Sequence, residues 1–182
     1  MDENSPIYDL FRGVYVDNKE TSEMFLTLQL APEKRKQDLV PLIASSVLKL
    51  GKQIAKSPQV LVIELSRHLS EAKETMSQAQ IHFGGILMLP ESVLTKECER
   101  MVYELVAVVV RSGLYTNNGH YWVCNKLNDR WQWINDEVVE NVQISQEILN
   151  DSRNCSISNF CLKASSNWCL LVYKHKIVSK NS

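Results

Sequence analysis

The run Leu105-Val106-Ala107-Val108-Val109-Val110 constrains the fold more than any other part of the chain. Side chains branched at Cβ keep few rotamers in a helix and pack well on a pleated surface. The run therefore predicts a core strand over Tyr103–Arg111, ended by Ser112-Gly113. It is far shorter than the ~20 apolar residues needed to cross a bilayer.

Other segments supply neighbours for that strand. Val14-Tyr15-Val16 reads as a strand, and Met24–Leu30 as a second that Pro32 ends. In the second, Met24, Leu26, Leu28 and Leu30 share one face, and Phe25, Thr27 and Gln29 the other. Gln59–Leu65 contains Val60-Leu61-Val62-Ile63, an apolar run suited to burial on both faces. Ile81–Leu89 is a strand interrupted by Gly84-Gly85, and Cys169–Lys174 is the last. Residues 33–55 read as one helix, because Leu39, Leu42, Ile43, Val47, Leu50 and Ile54 recur at helical spacing. Pro41 belongs in its first turn, and Gly51 marks its end or a break. Residues 70–80 read as an exposed excursion, and Val138–Leu149 as a loop with a short helix. The fold class expected is α+β, with a large antiparallel sheet and few helices.

Composition narrows the function classes. A chain of 182 residues with a formal charge of −1 suits one globular domain and gives no reason to expect nucleic acid or an acidic membrane as partner. Lys34-Arg35-Lys36 reads as a solvated helix face. The acidic, polar start Met1-Asp2-Glu3-Asn4 is unlike a secretory signal. The cysteines, Cys98, Cys124, Cys155, Cys161 and Cys169, are odd in number and form no CxxC pair. Neither a disulfide framework nor a zinc knuckle fits them, so no metal and no cofactor is expected. Free thiols point to a reducing compartment, the cytoplasm or the nucleus.

The chemistry concentrates in residues 113–136. Asn117-Asn118-Gly119 is a turn, and His120 follows it at the head of a strand through Cys124. Leu127-Asn128-Asp129 turns the chain, and Arg130–Ile134 returns. A hairpin centred between Leu127 and Asn128 sets His120 opposite Asn135, Trp122 opposite Trp133, and Cys124 opposite Trp131. Such cross-strand neighbours have Cβ atoms roughly 4.5–5.5 Å apart. An imidazole beside a carboxamide is what a Cys–His–Asn triad needs: the ring takes the thiol proton, and the amide oxygen fixes its tautomer and direction. Asp136, next in line, would do the same with charge. The plain alternative is a histidine that ends a strand beside a turn glycine. His68, His82 and His175 show no comparable partner and read as ordinary surface or core residues.

These residues resemble the C-terminal signature of the ubiquitin-specific proteases, which are papain-like cysteine deubiquitinases. Gly119-His120-Tyr121 matches their GHY box, Trp133-Ile134-Asn135-Asp136-Glu137-Val138-Val139 their W-x-F-(N/D)-D-x-x-V box, and Trp168–Tyr173 their closing AYLLVY strand. Pro58–Arg67 is similar to LP-x-x-L-x-x-x-LKRF, Tyr103–Gly113 to Y-x-L-x-A-V-x-x-H-x-G, and Thr21–Leu28 to SEPFLDLSL. The resemblance covers residues 11–175 in the family's order, leaving 176–182 as a tail. It implies that the whole chain, 1–182, is the C-terminal part of a protease domain: the palm and fingers portion, without the N-terminal thumb lobe. It further implies His120 as general base, Asn135 as its orienting partner, and Asp136 as a second polar support. Gly119 and Tyr121 would frame the cleft for the ubiquitin tail.

The family's GNTCYxNS nucleophile box is absent, as are its Q-x-DA-x-EF helix and the CxxC pairs of its fingers. Arg67-His68 stands for the usual Arg-Phe. Residues 31–57, in the place of the fingers, read as a short helical link. The expected function is therefore ubiquitin carboxyl-terminal hydrolysis by a protein of which this chain is a fragment or truncated form, inactive alone. The expected partners are ubiquitin or a ubiquitinated protein, and the missing N-terminal lobe. The alternative is a non-catalytic module that binds ubiquitin or a partner, and a merely structural domain stands third. A face uncovered by the missing lobe would lower solubility.

Overall fold

The structure, a computed structural model, describes residues 5–17, 22–32, 35–67, 75–115, 117–142 and 168–177. Cys155, Cys161, His68, Lys34 and residues 143–149 of the expected loop and helix lie outside them.

The valine-rich run is the spine of the molecule. It forms β9, Val102–Tyr115, counting strands in chain order. Before it come β1 (Gly13–Asp17), β2 (Ser22–Phe25), β3 (Thr27–Leu30), β4 (Lys36–Asp38), β5 (Lys52–Lys56), β6 (Val60–Leu65), β7 (Gln80–His82) and β8 (Ile86–Met88). After it come β10 (Asn118–Leu127), β11 (Arg130–Asn135), β12 (Val138–Val142) and β13 (Trp168–His175). The main sheet runs β12-β11-β10-β9-β13-β6-β3, with β8 also on β9. All its pairings are antiparallel except β3 with β6. The last strand thus enters between β9 and β6. Tyr103, Leu105, Val108 and Val110 of β9, Leu61 and Ile63 of β6, and Leu171 and Tyr173 of β13 are buried together. The expected α+β class with a large antiparallel sheet is what the chain adopts.

Among the described residues two α-helices accompany the sheets: α1, Pro6–Phe11, and α2, Leu39–Lys49. In α2, Leu39, Leu42, Ile43 and Val47 form the buried stripe, and Pro41 lies in the first turn, where its missing N–H costs nothing. Gly51, with φ +66°, ends the helix, its N–H donating to the Leu48 carbonyl.

Several segments differ from expectation. The helix expected over 33–55 is shorter, because β4 precedes it and β5 follows; Ile54, fully buried, belongs to β5. Arg35 and Lys36 are exposed, Lys36 in a strand and not on a helix face. Met24–Leu30 is broken at Leu26 into strands of different sheets, so Phe25 is buried while Met24 is exposed. Ser112-Gly113 does not stop β9, since glycine takes φ +126° there and the strand continues. Residues 138–142 are strand β12. α1 was hidden by its short length; Ser5 caps it, accepting from the Ile7 amide at 3.3 Å, and Pro6 opens it.

Arg67 locks the sheet to the segment that follows β6. Its side chain is buried, with Nε donating to the Trp168 carbonyl at 2.8 Å and Nη1 to the carbonyls of Ser77 at 3.0 Å and Ala79 at 2.8 Å. Burial pushes its pKa down to about 10, so it still holds its charge at neutral pH. Trp168 reciprocates through its indole N–H to the Ile81 carbonyl, at 3.0 Å. Replacing Arg67 by Met strips three carbonyls, two of them in buried bonds and one part-buried, of a charged donor. Each such loss costs about 1–3 kcal/mol, so Arg67→Met is expected to lower stability by about 3 kcal/mol or more in urea unfolding. A loss under about 1 kcal/mol would show the three bonds to be dispensable.

Candidate active site

The site rests on the hairpin of β10 and β11. Asn128 and Asp129 both take positive φ, 49° and 61°, the conformation of a two-residue turn that matches strand twist. The turn sets the register: Leu127 pairs with Arg130, Lys126 with Trp131, Cys124 with Trp133, and Val123 with Ile134. This corrects the expected register by two residues. Trp122 therefore does not oppose Trp133, nor Cys124 Trp131. A shift of two keeps every side chain on its face, so His120 and Asn135 still share one as diagonal neighbours.

They meet there. His120 Nε2 is hydrogen-bonded to Asn135 Oδ1. The Asp136 carboxylate lies 3.8 Å from the same nitrogen. Asp136 has φ +51° in the tight turn between β11 and β12, which brings its side chain back toward the ring. An amide oxygen only accepts, so Nε2 carries the proton in this pair, and Nδ1 keeps the lone pair. The His120 side chain is 46% exposed, so it can meet a second group.

The approach to His120 is built by a bulge. Asn118 pairs with Tyr115 and His120 with Ser112, so Gly113-Leu114 on β9 oppose Gly119 alone. Such bulges bend a strand and re-aim the side chains beside it. A Cβ on Gly113 would fall 2.6 Å from the Asn118 carbonyl oxygen, and one on Gly119 2.6 Å from the Arg111 guanidinium. Tyr121 is exposed, its ring 5.7 Å from the Arg111 guanidinium carbon. Ser112 Oγ donates to the His120 carbonyl at 3.3 Å. Arg111 and Ser112 were missed in the sequence, since nothing in their type marks a role until the bulge is seen.

No described cysteine complements His120. Cys124 is fully buried in the core, where desolvation pushes its thiol from an ordinary 9.0 up to about 12. Cys169 donates to the Val109 carbonyl at 3.5 Å, and burial raises its pKa too. Cys98 is buried against Ser57 Oγ at 3.4 Å. An attacking thiol needs a lowered pKa and access, the opposite of what Cys124 and Cys169 have. His175 has an amide partner that the sequence did not disclose, Gln59 Oε1 at 3.2 Å from Nδ1, at the other end of β13. Among the described residues no group of three potential metal ligands converges, and no helix is long and apolar enough to cross a membrane.

A family model described as ubiquitin carboxyl-terminal hydrolase matches residues 1–173. The Caenorhabditis elegans protein ubiquitin carboxyl-terminal hydrolase 46 is 31% identical over 96 residues, which are 51% of this chain and 22% of that protein. Among solved structures, the Ubp8-Sgf11-Sgf73-Sus1 SAGA DUB module superposes with a TM-score of 0.70 at 23% identity, covering 95% of this chain and 41% of that one. The SAGA Ubp8/Sgf11/Sus1/Sgf73 DUB module bound to ubiquitin aldehyde gives 0.68 at 22% identity, covering 96% and 43%. The chain thus spans less than half the length of the relatives it matches.

The thiol environments have measurable consequences. At pH 8, alkylation of Cys124 in the folded chain is expected to proceed only through opening of the structure, and so to be strongly suppressed relative to the urea-unfolded chain. Because folding raises the Cys124 pKa, the unfolded state loses that proton first as pH climbs past 9.0. Stability should therefore fall from pH 9.0 toward about 12, and less steeply in Cys124→Val. Alkylation of Cys124 as fast as in the unfolded chain would contradict its assignment to the core.

Proposed function

The chain belongs to the ubiquitin carboxyl-terminal hydrolase family, and from that premise we propose that it carries the base-bearing half of a thiol-dependent deubiquitinase site. The single observation that supports this most is the His120–Asn135 pair, which engages Nε2 and leaves the lone pair on Nδ1. In this reading a thiol from the nucleophile-bearing lobe sits against Nδ1. His120 takes the thiol proton as the sulfur attacks the carbonyl carbon of the ubiquitin C-terminal glycine. It then returns that proton to the departing lysine amine, leaving a thioester. Water, deprotonated by the same nitrogen, hydrolyses the thioester and frees the ubiquitin carboxylate. Asn135 holds the ring and its tautomer, and Asp136 adds negative charge that favours the imidazolium formed midway. Gly119 and Tyr121 border the path of the ubiquitin tail. The modifier and the lobe that completes the cleft are the partners, in the cytoplasm or nucleus, where the thiol stays reduced.

By the same reading the chain alone does not turn over, since the covalent step has no nucleophile. A specific observation also favours a second reading, a ubiquitin- or partner-binding module without catalysis. Apolar side chains at the His120 end of the sheet, Leu114, Tyr115, Tyr121, Val138 and Val139, are all exposed, as a contact surface would be.

The test uses the purified chain with a ubiquitin–fluorophore substrate and a ubiquitin thiol-trap probe. No hydrolysis and no adduct are expected. Turnover abolished by His120→Ala would overturn the claim that the chain is inactive alone. Sequencing the DNA upstream of Met1 separates the two readings: an in-frame Cys box supports the protease half, and a stop codon with a promoter supports the binding module.

A further inference from the structure

Among the described residues, Arg111 and Arg67 are the buried charged ones, Arg111 at 8% exposed. It stands where the family pattern Y-x-L-x-A-V-x-x-H-x-G has histidine. From the middle of β9 it reaches under the bulge. Nη2 donates to the Tyr115 carbonyl at 2.8 Å and to the Asn118 carbonyl at 3.3 Å, bridging the end of β9 and the start of β10. Its guanidinium fills the space that a side chain on Gly119 would need. The same group lies 5.7 Å from the centre of the Tyr121 ring, within reach of a cation–π contact. One cation therefore touches the residues on both sides of His120 in sequence, as well as Tyr115 and Asn118.

We infer that Arg111 is a positioning residue for His120: by tying Tyr115, Asn118, Gly119 and Tyr121 to one buried guanidinium, it fixes the backbone from which the imidazole reaches Asn135. The physical need is specific. A bulge disrupts the ladder locally, and beside it the guanidinium donates to the Tyr115 and Asn118 carbonyls. A guanidinium is suited to this, being always charged and planar, with several donors held in fixed directions. The tight fit explains why residue 119 is glycine. It also predicts coupling, since any side chain at 119 must displace Arg111 and break the two carbonyl bonds. The consequence for catalysis rests on the proposed role of His120; the coupling itself does not.

The test is made on the full chain, by two-dimensional NMR of the 15N-labelled imidazole of His120 together with thermal melts. Asn135→Ala supplies the reference spectrum of a ring without its partner. Arg111→Met is expected to shift the His120 nitrogens toward that reference and to speed exchange of the Nε2 proton at least about tenfold, equivalent to about 1.4 kcal/mol. Gly119→Ala should do the same in the wild-type background but add little in the Arg111→Met background. Should Arg111→Met fail to fold, Arg111→Lys keeps a charge and a donor without the plane, and an intermediate shift is expected. An imidazole spectrum unchanged in the folded Arg111 variant, or strictly additive effects of the two substitutions, would overturn the inference. Neither outcome depends on hydrolase activity, so failure here is distinguishable from failure of the deubiquitinase reading.

Discussion

The pairing of β9 on both edges is the constraint from which the rest of the structure follows. A valine-rich strand buried in a sheet must have every backbone donor and acceptor bonded. One edge is met by β13, which arrives from the far end of the chain, and the other by β10. The first pairing draws in β6 and β3 and closes the core, with Arg67 and Trp168 cross-bonding the layers at one end. The second carries the hairpin whose open end holds His120 and Asn135. The closed core and the His120–Asn135 pair are thus fastened to opposite edges of one strand.

That arrangement suits a site assembled from two parts. The histidine and its amide partner lie on adjoining strands of one rigid sheet, so their mutual geometry does not wait for another lobe. Under the proposed function, a nucleophile brought by a separate element would meet an imidazole already oriented by Asn135. Preorganisation of this kind matters because acid–base catalysis depends on position before it depends on pKa. The described cysteines contribute to packing instead, and burial makes Cys124 and Cys169 poorer nucleophiles than free thiols.

Much of this was legible in the chain, for identifiable reasons. β6, β9 and β13 were visible because runs of branched and aromatic side chains have few other places to go. His120 with Asn135 was visible because period-two alternation survives an error of two in register. The register itself was misplaced because the turn was centred one residue early; the positive φ angles of Asn128 and Asp129 decide it. The split of Met24–Leu30 and the strands flanking α2 depend on contacts with distant segments, which local periodicity does not encode. Arg111 lay hidden for a related reason. An arginine at the last position of a predicted strand carries no mark of burial, and β9 continues past it through Gly113.

The central claim, that this chain holds an oriented base awaiting a thiol, is tested most directly by the tautomer of His120 in the wild-type chain in solution. Long-range 1H–15N correlation at neutral pH should show the proton on Nε2, slowed in exchange, with a coupling across the hydrogen bond to the Asn135 side chain. A ring protonated at Nδ1, or one averaging freely between tautomers without contact to Asn135, would contradict it.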